Sequence, residues 1–366
     1  MVKTMRCPQY FVVGAGACAE VGRHGKELGG SRALVIGGAR SIEAVKGVLL
    51  PSLEAAGISF HVESGEHVRK TLSSVDALTA VGRKEGADLL IGCGGGAVMD
   101  CGKAVAHELK VPYIAVPTVA SVNAAGTNSA TIEGDSVPRR YWYQAVDVIV
   151  ADTAIIAAAG ARFLASGMGD ALPSGYGAQL ALWRGRSEAT ATRVALAQLC
   201  TRTILEEGAR AYRACKRGVP VPELDRVVEA IILCSGLAGF GMPGDHVLHP
   251  AQMPQCRRRA IHGEWVAFGF LVRLVLGGEF NSELPGLVRF LRSVELPTRL
   301  ADFGLEGITK EDLLEECQRI VGPSGKAEYD LGRPVTAEEI CEAMLEVDCL
   351  SRALPQDLDE EQASCS

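Results

Sequence analysis

No apolar run in this chain reaches the roughly 18 residues that a membrane-spanning helix needs, so no spanning helix and no membrane partner are expected. The opening residues 1–6 are not followed by the apolar core of a signal peptide, and a cytoplasmic protein is expected. Dense basic stretches are missing too. Arg257-Arg258-Arg259 is the one tight cluster, net charge is −7, and three arginines on a loop read as a solvated edge. Nucleic acid is therefore not an expected partner. The twelve cysteines form no Cys-x-x-Cys pair and lie singly in a chain that is 48% hydrophobic, which fits reduced thiols rather than a disulfide framework. Internal repeats and low-complexity linkers are absent as well.

What is present is a chain of 366 residues with 22% charge, the composition of a globular protein too long for one core. Its first part alternates strand-like and helix-like segments. Ala33-Leu34-Val35-Ile36 runs into Gly37-Gly38 and then a helical stretch over 41–56. A short strand over 58–62, an amphipathic helix over 73–85, and strands over 113–116 and 146–150 continue the rhythm. This βαβ alternation predicts a Rossmann-like α/β domain with a mostly parallel sheet, placed at residues 1–155. Beyond it, helical patterns over 193–214, 223–238, 264–276, 284–293, 310–321 and 337–351 predict an all-α domain at residues 156–366.

Two constellations carry chemistry. The first is Ile91-Gly92-Cys93-Gly94-Gly95-Gly96-Ala97-Val98-Met99-Asp100, a buried strand that stops at glycines and passes straight into a helix. Bare backbone at a helix N-terminus presents N–H groups and the positive dipole end to an anion, such as a dinucleotide pyrophosphate. The turn is not the usual G-x-G-x-x-G, and a purely structural turn is the competing reading. Thr118 and Ser121 put hydroxyls after the next strand, where ligands of open α/β sheets sit. Cys93 and Cys101 flank the turn as packing residues. The second constellation is Asp170 with His246, His249 and His262. Three of the chain's seven histidines fall in this one window, with His246 and His249 three apart, on one face if the segment is helical. Two imidazoles and a carboxylate leave a coordination position open, as catalytic zinc requires, and iron(II) accepts the same set.

With these motifs in view, the chain resembles the glycerol dehydrogenase branch of the iron-containing (group III) alcohol dehydrogenase superfamily. The resemblance rests on Gly94–Asp100, Val116–Ser121, Ala161–Leu172 and His262–Gly269, in family order and spacing over nearly the whole chain. It implies the dehydroquinate synthase-like fold and zinc at Asp170, His246 and His262. It implies cofactor contacts at Gly95, Gly96, Ala97, Asp100, Thr118, Ser121 and Thr127. His249 would line the substrate pocket, either relaying a proton or shaping the wall, and the working form would be a homo-oligomer. The implied reaction interconverts a small polyol or secondary alcohol and its ketone, using a nicotinamide cofactor. Redox-neutral cyclases or lyases of the dehydroquinate synthase type and glycerol-1-phosphate dehydrogenases are the alternatives.

The chain departs from that pattern in four places. Ser121-Val122-Asn123 puts a neutral amide where glycerol dehydrogenases carry an aspartate, so Asn123 is a candidate substrate contact. The segment after Asp170 has small residues in place of aromatics. The segment before His246 is shortened. Finally, Gly37-Gly38-Ala39-Arg40-Ser41 lacks the acidic residue that binds ribose hydroxyls. Gly38 and Arg40 therefore favour NADP(H) over NAD(H), with a solvated Arg40 as the competing reading.

Overall fold

The computed structural model describes residues 3–134, 138–143, 145–322, 325 and 327–355. By contacts the chain divides into two compact units, Met1–Phe240 and Gly241–Ser366. The first is built on β1 (Tyr10–Gly14), α1 (Val21–Glu27), β2 (Arg32–Gly37), α2 (Ala39–Ala55), β3 (Ser59–Ser64), α3 (Leu72–Glu85), β4 (Leu89–Gly94), α4 (Gly96–Leu109), β5 (Tyr113–Pro117), β6 (Ser129–Glu133), β7 (Pro138–Trp142) and β8 (Val148–Asp152). Six strands form a parallel sheet in the order β1-β8-β5-β4-β2-β3. β6 and β7 form a separate antiparallel pair.

Strands β2, β4, β5 and β8 are apolar runs because both of their faces are covered. Ala33, Val35, Ile91, Ile114, Val116, Val148 and Val150 share one core with Ile42, Val45, Leu49 and Leu53 of α2. Leu34, Ile36, Leu90 and Ile149 alternate onto the other face and are equally buried. Tyr113 shows how tightly that second layer is packed. Its ring lies where a Cβ on either Gly92 of β4 or Gly102 of α4 would sit, 2.4 and 2.3 Å from its hydroxyl oxygen.

From β2 the chain steps outward to β3 and then crosses back to β4 on β2's other side. The C-terminal ends of β2 and β4 therefore form the switch point at which doubly wound sheets bind ligands. The expected α/β fold is present. A strand at 10–14 and the hairpin were not expected, because neither carries a long apolar run.

Helices α5 (Thr153–Ala159), α6 (Ala161–Ala171), α7 (Pro173–Trp183), α8 (Ala191–Lys216), α9 (Pro222–Glu229) and α10 (Ser235–Ala238) complete the first unit. The division thus falls at 240/241 rather than at the expected 155/156. The physical reason is that α8 packs on α6, α7 and α9, while α5 and α9 reach strand β1. One helix was expected over 223–238. It is present without a break in helical backbone, and a π-helical segment, Ala230–Cys234, lies within it between α9 and α10. The second unit is helical, with α11 (His262–Gly277), α12 (Leu284–Ser293), α13 (Lys310–Val321) and α14 (Ala337–Ala353). Thr336 caps α14 by accepting from Glu339 N, and Glu339 accepts from Thr336 N in return. No single described helix is long and apolar enough to cross a membrane, and every described cysteine is a free thiol.

Two glycine substitutions should shift stability in opposite directions. Gly102→Ala pushes a methyl into the Tyr113 ring and should cost about 1–3 kcal/mol in urea unfolding. Gly47→Ala, where nothing lies within 4 Å of the added methyl on α2, should add about 0.5–1 kcal/mol.

Candidate active site

The parallel strands bring the turns after β2, β4 and β5 to one edge of the sheet. Gly95 is the extended N-cap of α4, and its carbonyl accepts from Val98 N and Met99 N. No side chain caps that terminus, so the N–H groups of Gly96 and Ala97 remain for an anion. A Cβ on Gly94 would lie 2.5 Å from Val98 Cγ2, and one on Gly96 would lie 2.7 Å from Val122 Cγ2. Gly95 and Gly96 are half-buried and Ala97 is exposed. The turn after β2 is similar: Gly38 caps α2 without a side-chain partner, and Arg40 is exposed. Thr118 Oγ1 donates to Ser41 Oγ at 3.4 Å, joining the turns after β5 and β2. Ser121 follows on the same loop, and its carbonyl accepts from Ser166 Oγ of α6.

Asp100 and Thr127 have a different setting. Asp100 Oδ2 accepts from Thr131 N at 3.1 Å, and Oδ1 lies 3.5 Å from Lys103 Nζ. Burial raises the Asp100 pKa, and Lys103 opposes that rise. Lys103 is itself buried and donates to Ala124 O, Thr127 Oγ1 (3.0 Å) and Ser129 O (2.7 Å). Both sequence candidates therefore belong to a lock that ties the 124–131 segment to α4. Lys103 went unassigned in the sequence, although its spacing of three from Asp100 puts both on one helix face.

Downstream, the loop meets the π-helical segment at backbone distance. A Cβ on Gly126 would sit 1.9 Å from Ile232 O. The chain then presents Ser235, whose Oγ accepts from Asn123 Nδ2 at 2.9 Å. Ser174 Oγ lies 3.2 Å from Ser235 Oγ and 3.0 Å from Phe240 O. Ser235 and Ser174 are the partners that sequence reading missed. Asp170 lies on α6, half-buried, and the same helix comes close enough that a Cβ on Gly167 would meet Ala120 O at 1.9 Å.

In the second unit His246 and His249 lie in a turn, not on a helix as their spacing allowed. Gly244, at φ +98°, turns the chain there. Gly269 of α11 admits the turn closely, since a Cβ on it would lie 2.1 Å from Asp245 O. Asp245 is buried. Its Oδ2 accepts from Met242 N, and its Oδ1 accepts from His246 Nδ1 at 2.5 Å. That bond makes Nδ1 of His246 a donor nitrogen.

His262 opens α11. Its ring centroid is 5.0 Å from that of His246. Glu264, buried, accepts from Ile261 N to close the helix start, and it pairs with Arg258. Arg258 is thus a tied structural cation rather than part of a solvated edge.

His249 is buried and uses both ring nitrogens. Nε2 donates to His246 O at 3.1 Å, and Nδ1 accepts from Ala251 N at 3.3 Å. Burial above all pushes its pKa down to about 4, so the ring is neutral at pH 7. Trp265 stacks on it, with centroids 5.3 Å apart and planes 7° from parallel. The same indole meets His262 edge-on and donates Nε1–H to its Nδ1 at 3.1 Å.

An open parallel sheet with a glycine turn at its switch point defines a nucleotide-binding α/β class. The comparisons narrow it. The family described as iron-containing alcohol dehydrogenase matches residues 8–158. A glycerol dehydrogenase of Thermotoga maritima is 30% identical, covering 96% of this chain and 98% of its own. A glycolaldehyde reductase of Halobacterium salinarum is 29% identical, covering 96% and 99%. The crystal structure of glycerol dehydrogenase from Schizosaccharomyces pombe superposes with a TM-score of 0.83 at 26% identity, covering 100% of this chain and 94% of that one. The chain belongs to the iron-containing alcohol dehydrogenase family, in its glycerol dehydrogenase-like branch.

Lys103→Met should leave Asp100 and three oxygens without their cation. The expected loss is about 3 kcal/mol or more in urea unfolding. A loss under about 1 kcal/mol would mean that water replaces the ammonium.

Proposed function

We propose that this chain is a metal-dependent NAD(P)(H) oxidoreductase that interconverts a small polyol or secondary alcohol and its ketone or hydroxyketone. The observation that carries the reading is the His246–His262 ring pair, with His246 oriented by the buried Asp245. A carboxylate behind an imidazole is the usual support of a metal-ligating histidine. With Asp170 as the third ligand the donor set is two nitrogens and one oxygen. That set suits zinc, accepts iron(II), and keeps a position for a substrate oxygen. The uncapped glycine turn at α4 suits a dinucleotide pyrophosphate, with Gly95, Gly96, Ala97, Thr118 and Ser121 around it. No carboxylate follows β2 before Glu43. Gly38, Arg40 and Ser41 can therefore receive a 2′-phosphate, which favours NADP(H).

When bound, the metal polarises the reacting oxygen and the nicotinamide exchanges the hydride. This chain's residues hold and orient the reactants. Asn123 gives an amide N–H to Ser235, which turns Oδ1 into the acceptor for a substrate hydroxyl. His249 has its nitrogens tied to backbone, so it shapes the pocket wall rather than carrying a proton. The two relatives named for glycerol and glycolaldehyde point to a small hydroxylated substrate.

Zinc-loaded protein should oxidise NADPH, and more slowly NADH, with dihydroxyacetone or hydroxyacetone, followed by absorbance. Asp170→Ala and His262→Ala should each abolish turnover and metal retention while cofactor binding persists. Full activity in either metal-free variant refutes the proposal. Asp245→Asn should weaken zinc binding roughly 10- to 100-fold by calorimetry.

A further inference from the structure

The two paired imidazoles are supported in opposite ways. A neutral imidazole has one N–H and one lone pair, and a metal takes the lone pair. Asp245, an acceptor, draws the proton of His246 to Nδ1, which leaves Nε2 able to ligate. Trp265 does the reverse at His262. An indole is a donor only, so its Nε1–H occupies the Nδ1 lone pair at 3.1 Å and the proton of His262 sits on Nε2. In that state neither nitrogen of His262 can take a metal. Ligation through Nδ1 displaces the indole directly. Ligation through Nε2 moves the proton to Nδ1, which then faces the indole N–H donor to donor.

We propose that Trp265 is a positioning residue that gates metal entry: its hydrogen bond holds His262 in the non-ligating tautomer and must break as the metal binds. This rests on the reading of His262 as a ligand. The proton balance is closed, because ligation through Nε2 transfers the imidazole proton to Nδ1 through water and releases none. The indole cannot leave without consequence. It is stacked on His249, whose ring is fixed to backbone on both nitrogens. Breaking the His262 bond therefore changes the indole's packing as well as its hydrogen bonding. Metal loading is thus reported at the pocket wall that His249 forms.

The chain has three tryptophans, Trp142, Trp183 and Trp265, so the indole can be isolated as a probe. In full-length W142F/W183F protein stripped of metal by chelator, zinc titration should change the emission of Trp265. The change should saturate at one equivalent, with the dissociation constant found by calorimetry. Trp265→Phe keeps an aromatic ring beside His249 but removes the donor. It should bind zinc roughly two- to tenfold more tightly, the factor expected when one hydrogen bond no longer has to be broken. An ordinary supporting role for Trp265 predicts the opposite, a weaker site. Zinc binding by calorimetry with unchanged emission, or equal or weaker binding in the Trp265→Phe variant with an unaltered circular dichroism spectrum, overturns the gating role alone. Failure of the unsubstituted protein to bind zinc overturns the metal reading and this inference with it.

Discussion

One buried ammonium organises the segment that follows β5 in the first unit. Lys103 sits almost without solvent among Asp100, Thr127 and two backbone carbonyls. A charge so placed is tolerated only when its hydrogen bonds are fully made, which gives the 124–131 segment one position relative to α4. From that position the rest follows by contact. Gly126 meets Ile232 at backbone distance, the π-helical segment ends at Ser235, and Ser235 holds the amide of Asn123. π-helical turns inside helices are frequent at functional sites. Here the turn lies where the helix presses on the candidate substrate loop.

The second unit solves a different problem with aromatic and carboxylate partners. Its three histidines carry two hydrogen-bond arrangements, a donating Nδ1 in His246 and an accepting Nδ1 in His249 and His262, each set by a neighbour. Asp245 fixes His246, Trp265 fixes His262, and the backbone of His246 and Ala251 fixes His249. Burial keeps His249 neutral near pH 7. Identical side chains in one short window are thereby given different hydrogen-bond partners.

Much of this was legible in the residue order, and the failures have physical causes. The glycine turn, the hydroxyls after β5 and the clustered histidines were readable because each is a local pattern. The turn at His246–His249 was open to a helical reading, because i, i+3 spacing does not distinguish a helix from a turn once Gly244 takes a left-handed conformation. Asp100 and Thr127 are cofactor candidates by position, and the structure adds that their polar atoms meet Thr131 and Lys103. Those partners lie 31 and 24 residues away, beyond the reach of any local pattern. The expected boundary at 155/156 followed a change in periodicity, whereas compactness follows packing, and α5 and α9 pack on the sheet.

The sequence alone determined the class of fold, because strands buried on both faces must be apolar runs and amphipathic helices must alternate with them. It also determined which residue types are available for an anion and a metal. Only the tertiary structure decided which of those atoms remain available. A hydrogen bond between residues distant in the chain takes up a lone pair or a proton, and no composition or spacing records it. Lys103 on Thr127 and Ser235 on Asn123 are of this kind.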